Sequence, residues 1–185
     1  MRAVVQRVAR SAVSVVEGDD ERATARIGPG LTVLIGVAAG DTQAEAQRLA
    51  EKIAGLRIFP DDEGKLNRDV REAGGEILAI SQFTLLADTR KGRRPSFVGA
   101  APPEQGELLY DAVVRHLRHA GLVVRTGRFG AHMQGMVTNG VVSVVNGCGC
   151  AKRKRSPIPG AARRGPRGLP GRAESERPWE SGTRA

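Results

Sequence analysis

Residues 81–85 read Ser-Gln-Phe-Thr-Leu and close the apolar run Glu76-Ile-Leu-Ala-Ile80. Hydroxyls, a carboxamide and the backbone N–H groups of a chain leaving a strand meet in that one pentapeptide. Donors of this kind, fixed at a strand end, suit a carbonyl oxygen that gains negative charge as its carbon is attacked. The plainer alternative is that Ser81 and Thr84 only satisfy backbone groups where the strand stops, and a lone pentapeptide does not choose between the two. No His, Lys or N-terminal amine adjoins Thr84 in sequence to take its proton. That favours positioning by backbone amides over attack by the Thr84 hydroxyl. Just downstream, Arg90, Lys91, Arg93 and Arg94 crowd a loop punctuated by Gly92 and Pro95. Long cations at that density fit phosphate oxygens, and equally fit a solvated turn.

Other chemistries find little support. His116 and His119 are three apart beside Arg115 and Arg118, with no carboxylate or Cys at ligand spacing, so they read as a solvated helix face rather than a metal pair. His132, in Phe-Gly-Ala-His-Met-Gln, reads as structural. The chain has no G-x-S-x-G, no P-loop and no H-E-x-x-H, which removes the usual grounds for a serine hydrolase, a nucleotide triphosphatase or a zinc protease. No metal and no organic cofactor are expected.

The elements that must position these residues follow from periodicity. Residues 2–16 and 31–37 are rich in Val and other apolar residues around Gly28-Pro29-Gly30, which predicts strands joined by a turn. Thr42-x-x-Glu45 has the capping-box pattern, and Ala46, Leu49, Ile53 and Leu56 recur at helical spacing, predicting a helix over 42–57. Asp61, Asp62, Gly64 and Asn67 mark a turn-rich loop. A second helix is predicted over 103–120, with Leu109, Ala112, Val113 and Leu117 on one face and Gly121 ending it, before extended structure resumes at 123–125. Two helices among about five strands predict an α+β fold with a curved, largely antiparallel sheet.

At 185 residues the chain has room for one well-cored domain. Cys148 and Cys150 form a single C-x-C pair and residues 1–145 hold no cysteine, so no disulfide framework supports the core and a reducing cytosol fits. The N-terminus lacks the continuous apolar run of a signal peptide, and no stretch reaches the ~20 apolar residues of a membrane span. A cytoplasmic protein is expected. Of the net charge of +9, +7 falls in residues 146–185, which hold ten Lys or Arg against three Glu. That segment also has twelve Gly or Pro and almost no apolar periodicity. The composition predicts a domain over 1–145 followed by a disordered basic tail over 146–185.

Several motifs stand in fixed order: MRAVVQRV at the start, RIFPDDEGKLNRDV before SQFTL, then KGRRPSF at 91–97 and TGRFGAHMQ at 126–134. Together, from Met1 to Gln134, they resemble the D-aminoacyl-tRNA deacylases of the bacterial and eukaryotic type. The resemblance implies the same α+β fold, a homodimer, and hydrolysis of the ester of D-aminoacyl-tRNA, with glycine misplaced on another tRNA as a further substrate. It implies catalytic roles for Ser81, Gln82, Phe83 and Thr84. It also implies a substrate pocket near Pro95, Ser96, Phe97, Ala100, Ala101, Met133, Gly140 and Val141, and contacts from Arg90, Lys91, Arg93 and Arg94 to tRNA phosphates. For such enzymes either the threonine hydroxyl is a nucleophile, or amides position the substrate while the ribose 2′-OH assists. Gly106 stands where relatives commonly have Ala, implying a slightly looser wall.

The resemblance breaks after Gln134. Relatives continue to N-x-G-P-V-T, whose cis Gly-Pro bond reaches across the dimer and excludes L-amino acids from the partner's site. Here Gly140-Val141-Val142-Ser143 is the nearest match, one residue short upstream, with Val141 in place of proline. A cis bond before a non-proline residue costs ~2.5–4 kcal/mol, against ~0.5–1 kcal/mol before proline. A trans Gly140–Val141 bond is therefore expected, without the known chiral screen. Either the chain is a variant with altered selectivity and a basic RNA-binding extension, or its reading frame departs from the ancestral one soon after Gln134. The abrupt shift to Arg, Gly and Pro favours the second. A catalytically impaired tRNA-binding paralogue, or a frame-shifted product, is accordingly the alternative function.

Overall fold

Alternation of apolar and polar residues drives the first half of the chain into strands. In β1 (Arg2–Val8) Ala3, Val5 and Val8 are buried while Arg2 is exposed. The computed structural model describes residues 1–17, 20–90, 92–138 and 142–146, all within the unit Met1–Cys150. After β1 come β2 (Arg10–Glu17), β3 (Asp20–Ile27), β4 (Gly30–Gly36), α1 (Gln43–Ala54), β5 (Phe59–Pro60), β6 (Leu66–Arg68) and β7 (Glu76–Ser81). A single 3-10 turn, Phe83–Leu86, precedes α2 (Pro103–His119), β8 (Val124–Thr126), β9 (Met133–Thr138) and β10 (Val142–Asn146). Gly140, Val141, Lys91 and residues 147–185 of the predicted basic tail lie outside the described residues, whereas Asn146 ends β10.

The α+β class with two main helices holds, and the strands divide among sheets. One sheet has the order β10-β1-β4-β7-β8, a second β3-β2-β9, and β5 and β6 form a short hairpin. The apolar stretch 2–16 is therefore not continuous. It breaks between Val8 and Arg10, and β1 and β2 enter different sheets. Most pairings are antiparallel, but β7 runs parallel to both β4 and β8. The sequence pattern also understated the number of strands, because β5 and β6 are two and three residues long, too short to show a period of two, whereas the extended structure expected at 123–125 is present as β8.

Burial on both faces makes β7 the centre of the molecule. Ile77 and Ala79 face a core shared with Leu49 and Ile53 of α1 and Leu109, Val113 and Leu117 of α2. Leu78 and Ile80 face the opposite way, packing with Val8, Val13 and Ile27. The five-stranded sheet is thus covered by helices on one side and by the β3-β2-β9 sheet on the other, which explains why β7 reads as a continuous apolar run. Glu45 accepts a 3.0 Å bond from the Thr42 backbone N–H, and its carboxylate also bonds the Thr42 hydroxyl, closing the first turn of α1. At the far end of β4, the buried Met1 ammonium and the Asp41 carboxylate pair at 2.5 Å. The other Asp41 oxygen accepts from Ala38 N–H at 2.6 Å.

The start of the parallel pair is tight. A Cβ at Gly30 would lie 1.9 Å from the Glu76 carbonyl oxygen, whereas one at Gly28 would meet nothing within 4 Å. Because the neighbour at Gly30 is backbone, the pair could accept a methyl only by parting. Gly30→Ala is expected to destabilise the fold by about 3 kcal/mol, and Gly28→Ala by less than about 1 kcal/mol, read from denaturant midpoints of the two variants. Equal midpoints would contradict this account of the β4–β7 entry.

Candidate active site

The chain leaves β7 at Ser81 and turns at once. Ser81 is the last residue in register with β4, opposite Ile35, and Gln82 N–H donates to the Ile35 carbonyl at 2.8 Å. The next turn folds back over Gly36, where a Cβ would sit 2.4 Å from Leu86 Cδ2 and 3.0 Å from the Gln82 carbonyl oxygen. Its own first bond runs from Leu85 N–H to the Gln82 carbonyl, at 3.3 Å. The N–H groups of Phe83 and Thr84 come before that bond and take no part in it. Gln82 Nε2 donates to Thr84 Oγ1 at 2.5 Å, and Arg2 donates from a guanidinium nitrogen to the Leu85 carbonyl at 2.8 Å.

Beside this turn opens a cavity of about 680 Å³. Ser81, Gln82 and Phe83 form one wall, and Ala100, Ala101 and Met133 also line it. These come from distant parts of the chain. Ala101 N–H donates to the Val37 carbonyl at 2.9 Å and Ala39 N–H to the Gly99 carbonyl at 3.2 Å, so the segment after the basic loop is tied to the end of β4. Met133 opens β9, which pairs with β2.

Not every residue singled out in the sequence reaches the cavity. Thr84 is half-buried, does not line it, and has its hydroxyl engaged by Gln82. Pro95, Ser96 and Phe97 also stay out of the lining. The cause is a bridge between Asp88 and Ser96, with N–O distances of 2.8 and 2.9 Å, which closes residues 88–96 as a hairpin at the rim. Phe97 instead meets Phe83, ring centroids 5.3 Å apart at 71°. Within the hairpin Arg90 pairs with Asp88 at 2.5 Å, and its guanidinium holds the Asp88 carboxyl well below the usual carboxylate range. Arg93 and Arg94 are exposed. His119 is exposed and His116 half-buried on α2, and among the described residues no group of His, Cys, Asp and Glu could hold a metal ion. No helix there is long and apolar enough to cross a membrane.

Periodicity missed part of the wall. Val37, Pro103, Phe129 and His132 line the cavity as well, as does Gly106, expected in the wall from the resemblance alone. His132, read from the sequence as structural, thus has a place at the site. Gly106 is buried, and a Cβ there would rest 3.6 Å from Phe129 Cζ, an ordinary contact. The wall therefore has room for one methyl group. Phe129 leans on Tyr110, centroids 6.1 Å apart, and Tyr110 Oη donates to the Ala79 carbonyl at 2.9 Å. That carbonyl also accepts from Gly127 N–H at 3.3 Å. Tyr110 so joins α2, β7 and the 127–133 segment. The only available signal was its position one residue after the apolar Leu109.

The match to known proteins is extensive. The family model described as D-Tyr-tRNA(Tyr) deacylase covers residues 4–145. This chain belongs to that family. The D-aminoacyl-tRNA deacylase of Heliobacterium modesticaldum is 54% identical over 146 residues, spanning 79% of this chain and 90% of that one. The D-aminoacyl-tRNA deacylase of Symbiobacterium thermophilum is 53% identical over 146 residues, 78% of this chain and 94% of its own length. Among solved structures, the c-Myc DNA Unwinding Element Binding Protein is similar with a TM-score of 0.71 and 39% identity, over 79% of this chain and 98% of the other. A probable eukaryotic D-amino acid tRNA deacylase shares the fold, with a TM-score of 0.63 at 18% identity. The deacylase match thus spans both SQFTL and the segments that line the cavity.

Burial, assisted by nearby Asp111 and opposed by Arg118, pushes the Tyr110 phenol above its ordinary value near 10. A raised folded-state pKa means that the unfolded chain releases this proton first as pH rises. The Tyr110 contribution is present below pH ~10 and is lost above it, by ~1.4 kcal/mol for each pH unit. Chemical denaturation of wild type and Tyr110→Phe at about pH 8 and 10.5 should show the steeper loss in wild type. Parallel losses would mean that the phenol is not held by the fold.

Proposed function

We propose that this chain hydrolyses the ester joining a D-amino acid to the terminal ribose of tRNA. What carries the reading is that Ser81, Gln82 and Phe83 stand in the wall of a cavity large enough for an aminoacyl nucleoside, in a chain of the deacylase family. A water oxygen attacks the carbonyl carbon, and the bond from that carbon to the ribose oxygen breaks. The ribose oxygen leaves with the water's proton, giving a free amino acid and a tRNA with its hydroxyl restored. The N–H group of Phe83, whose residue lines the cavity, is the donor for the developing oxyanion.

The Thr84 hydroxyl serves to orient rather than attack. Gln82 already occupies it, and no base adjoins it in sequence. The ribose 2′-OH is then the group best placed to assist the proton transfer. Arg93 and Arg94, with Arg90 fixed by Asp88, are read as phosphate contacts, as is Lys91 from the sequence alone. Ala100, Ala101 and Met133 are read as substrate walls.

A homodimer in the cytoplasm completes the reading. Met136, 69% exposed on the edge strand β9, offers an apolar contact for it. The domain is taken to end near residue 145, with residues 146–185 as a basic extension. Gly140 and Val141 are read from sequence alone, as a segment that lacks the cis Gly-Pro screen.

Two assays test this. Thr84→Ala should keep hydrolysis of D-Tyr-tRNA within about 30-fold of wild type, whereas a true nucleophile would lose roughly 10⁴-fold or more. With wild type, no release beyond spontaneous hydrolysis would refute the enzyme reading and favour a tRNA-binding protein without catalysis. Comparing L-Tyr-tRNA with D-Tyr-tRNA then tests selectivity. Discrimination weaker than about a thousandfold is expected, because a trans Gly140–Val141 bond cannot present the same carbonyls. A preference for the D substrate of many thousandfold would show that another element does the screening.

A further inference from the structure

We propose that the ring pair of exposed Phe83 and half-buried Phe97, with Arg93 and Arg94 on the segment leading into Phe97, is a stacking subsite for the nucleobase of the second nucleotide from the acylated end of the RNA. The proposal rests on the reading of the cavity as the seat of the aminoacyl nucleoside. An amino acid and one nucleoside fill a cavity of about 680 Å³, so the next nucleotide must leave it across the rim. Phe83 forms that rim. It lines the cavity, yet is 58% exposed.

A half-exposed phenylalanine needs an explanation, because burying its ring would be favourable. Here the ring is braced rather than buried. Phe97 meets it edge to face, 5.3 Å between centroids at 71°, and such a pair covers at most one face of either ring. Phe97 is in turn fixed by the Asp88–Ser96 bridge immediately before it and by its carbonyl accepting from Ala100 N–H at 2.9 Å. The platform therefore comes ready-made.

Arg90 is committed to Asp88, whereas Arg93 and Arg94 make no hydrogen bond or ion pair among the described residues and are exposed. Arg94 is three residues before Phe97, within ~10 Å along the chain. A cation at that reach suits the phosphate linking the first and second nucleotides, and aromatic rings alternating with cations are how single-stranded nucleic acid is held without reading sequence. A protein partner or second copy covering the rings would instead give a base-to-abasic ratio near one in wild type.

The test uses the full chain and D-tyrosyl dinucleotides bearing either cytosine or an abasic sugar at the second position, with D-tyrosyl-adenosine as the reference for the cavity alone. Wild type should prefer the base-bearing dinucleotide over the abasic one by about tenfold in kcat/KM. Phe97→Leu should reduce that ratio to below about threefold, and Phe97→Trp should keep it, which guards against a general folding defect. Binding of the non-hydrolysable amide analogues gives the same ratio independently of turnover. Absence of turnover on every substrate refutes the catalytic reading, while a ratio near one in wild type, or one unmoved in Phe97→Leu, overturns the subsite.

Discussion

The parallel pairing of β4 with β7 determines where the chain must turn, and the candidate site follows from that turn. The pairing ends with Ser81 opposite Ile35 and a single further bond from Gln82 N–H. Beyond it lies Gly36, whose missing side chain leaves the space that Leu86 and the Gln82 carbonyl occupy. A chain leaving a strand there has to coil tightly, and a tight coil exposes its first N–H groups. The arrangement places polar groups at the carboxyl end of parallel strands, where open sheets commonly bind ligands.

The cavity wall is built by both layers that cover β7. From the helix side come Pro103 and Gly106 of α2, and from the second sheet Val13 of β2 and Met133 of β9. Tyr110 ties these layers together through the Ala79 carbonyl, which it shares with Gly127. Shape at the site is thus an outcome of packing around one strand rather than of a loop standing alone. Gly127 shows how close the fit is, since a Cβ there would lie 2.6 Å from Met133 Sδ.

Much of this was legible in the residues. The spacing of Ala46, Leu49 and Ile53 marked α1, and that of Leu109, Val113 and Leu117 marked α2, because a helix with one buried face must repeat every three or four residues. SQFTL stood out because polar residues abruptly follow an apolar strand. The division of residues 2–17 between two sheets was not legible, because β1 and β2 carry the same alternation on either side of one interruption. Nor could periodicity show that Phe97 turns to Phe83 instead of the cavity. That depends on the Asp88–Ser96 bridge, a pairing across a Gly- and Pro-containing loop with no repeat to read. Phe129 and His132 were hidden for a related reason, lying in a turn between β8 and β9 whose path is set by tertiary contact.

The central claim is that backbone N–H groups at the end of β7 hold the substrate carbonyl. Amide chemical shifts of the full chain, titrated with an amide-linked, non-hydrolysable D-tyrosyl-adenosine, test it most directly. The Phe83 amide should move most, downfield as it gains an acceptor, with smaller changes at Ala100, Ala101 and Met133. Saturable binding that leaves the Phe83 amide unmoved while shifting amides elsewhere would rule this out.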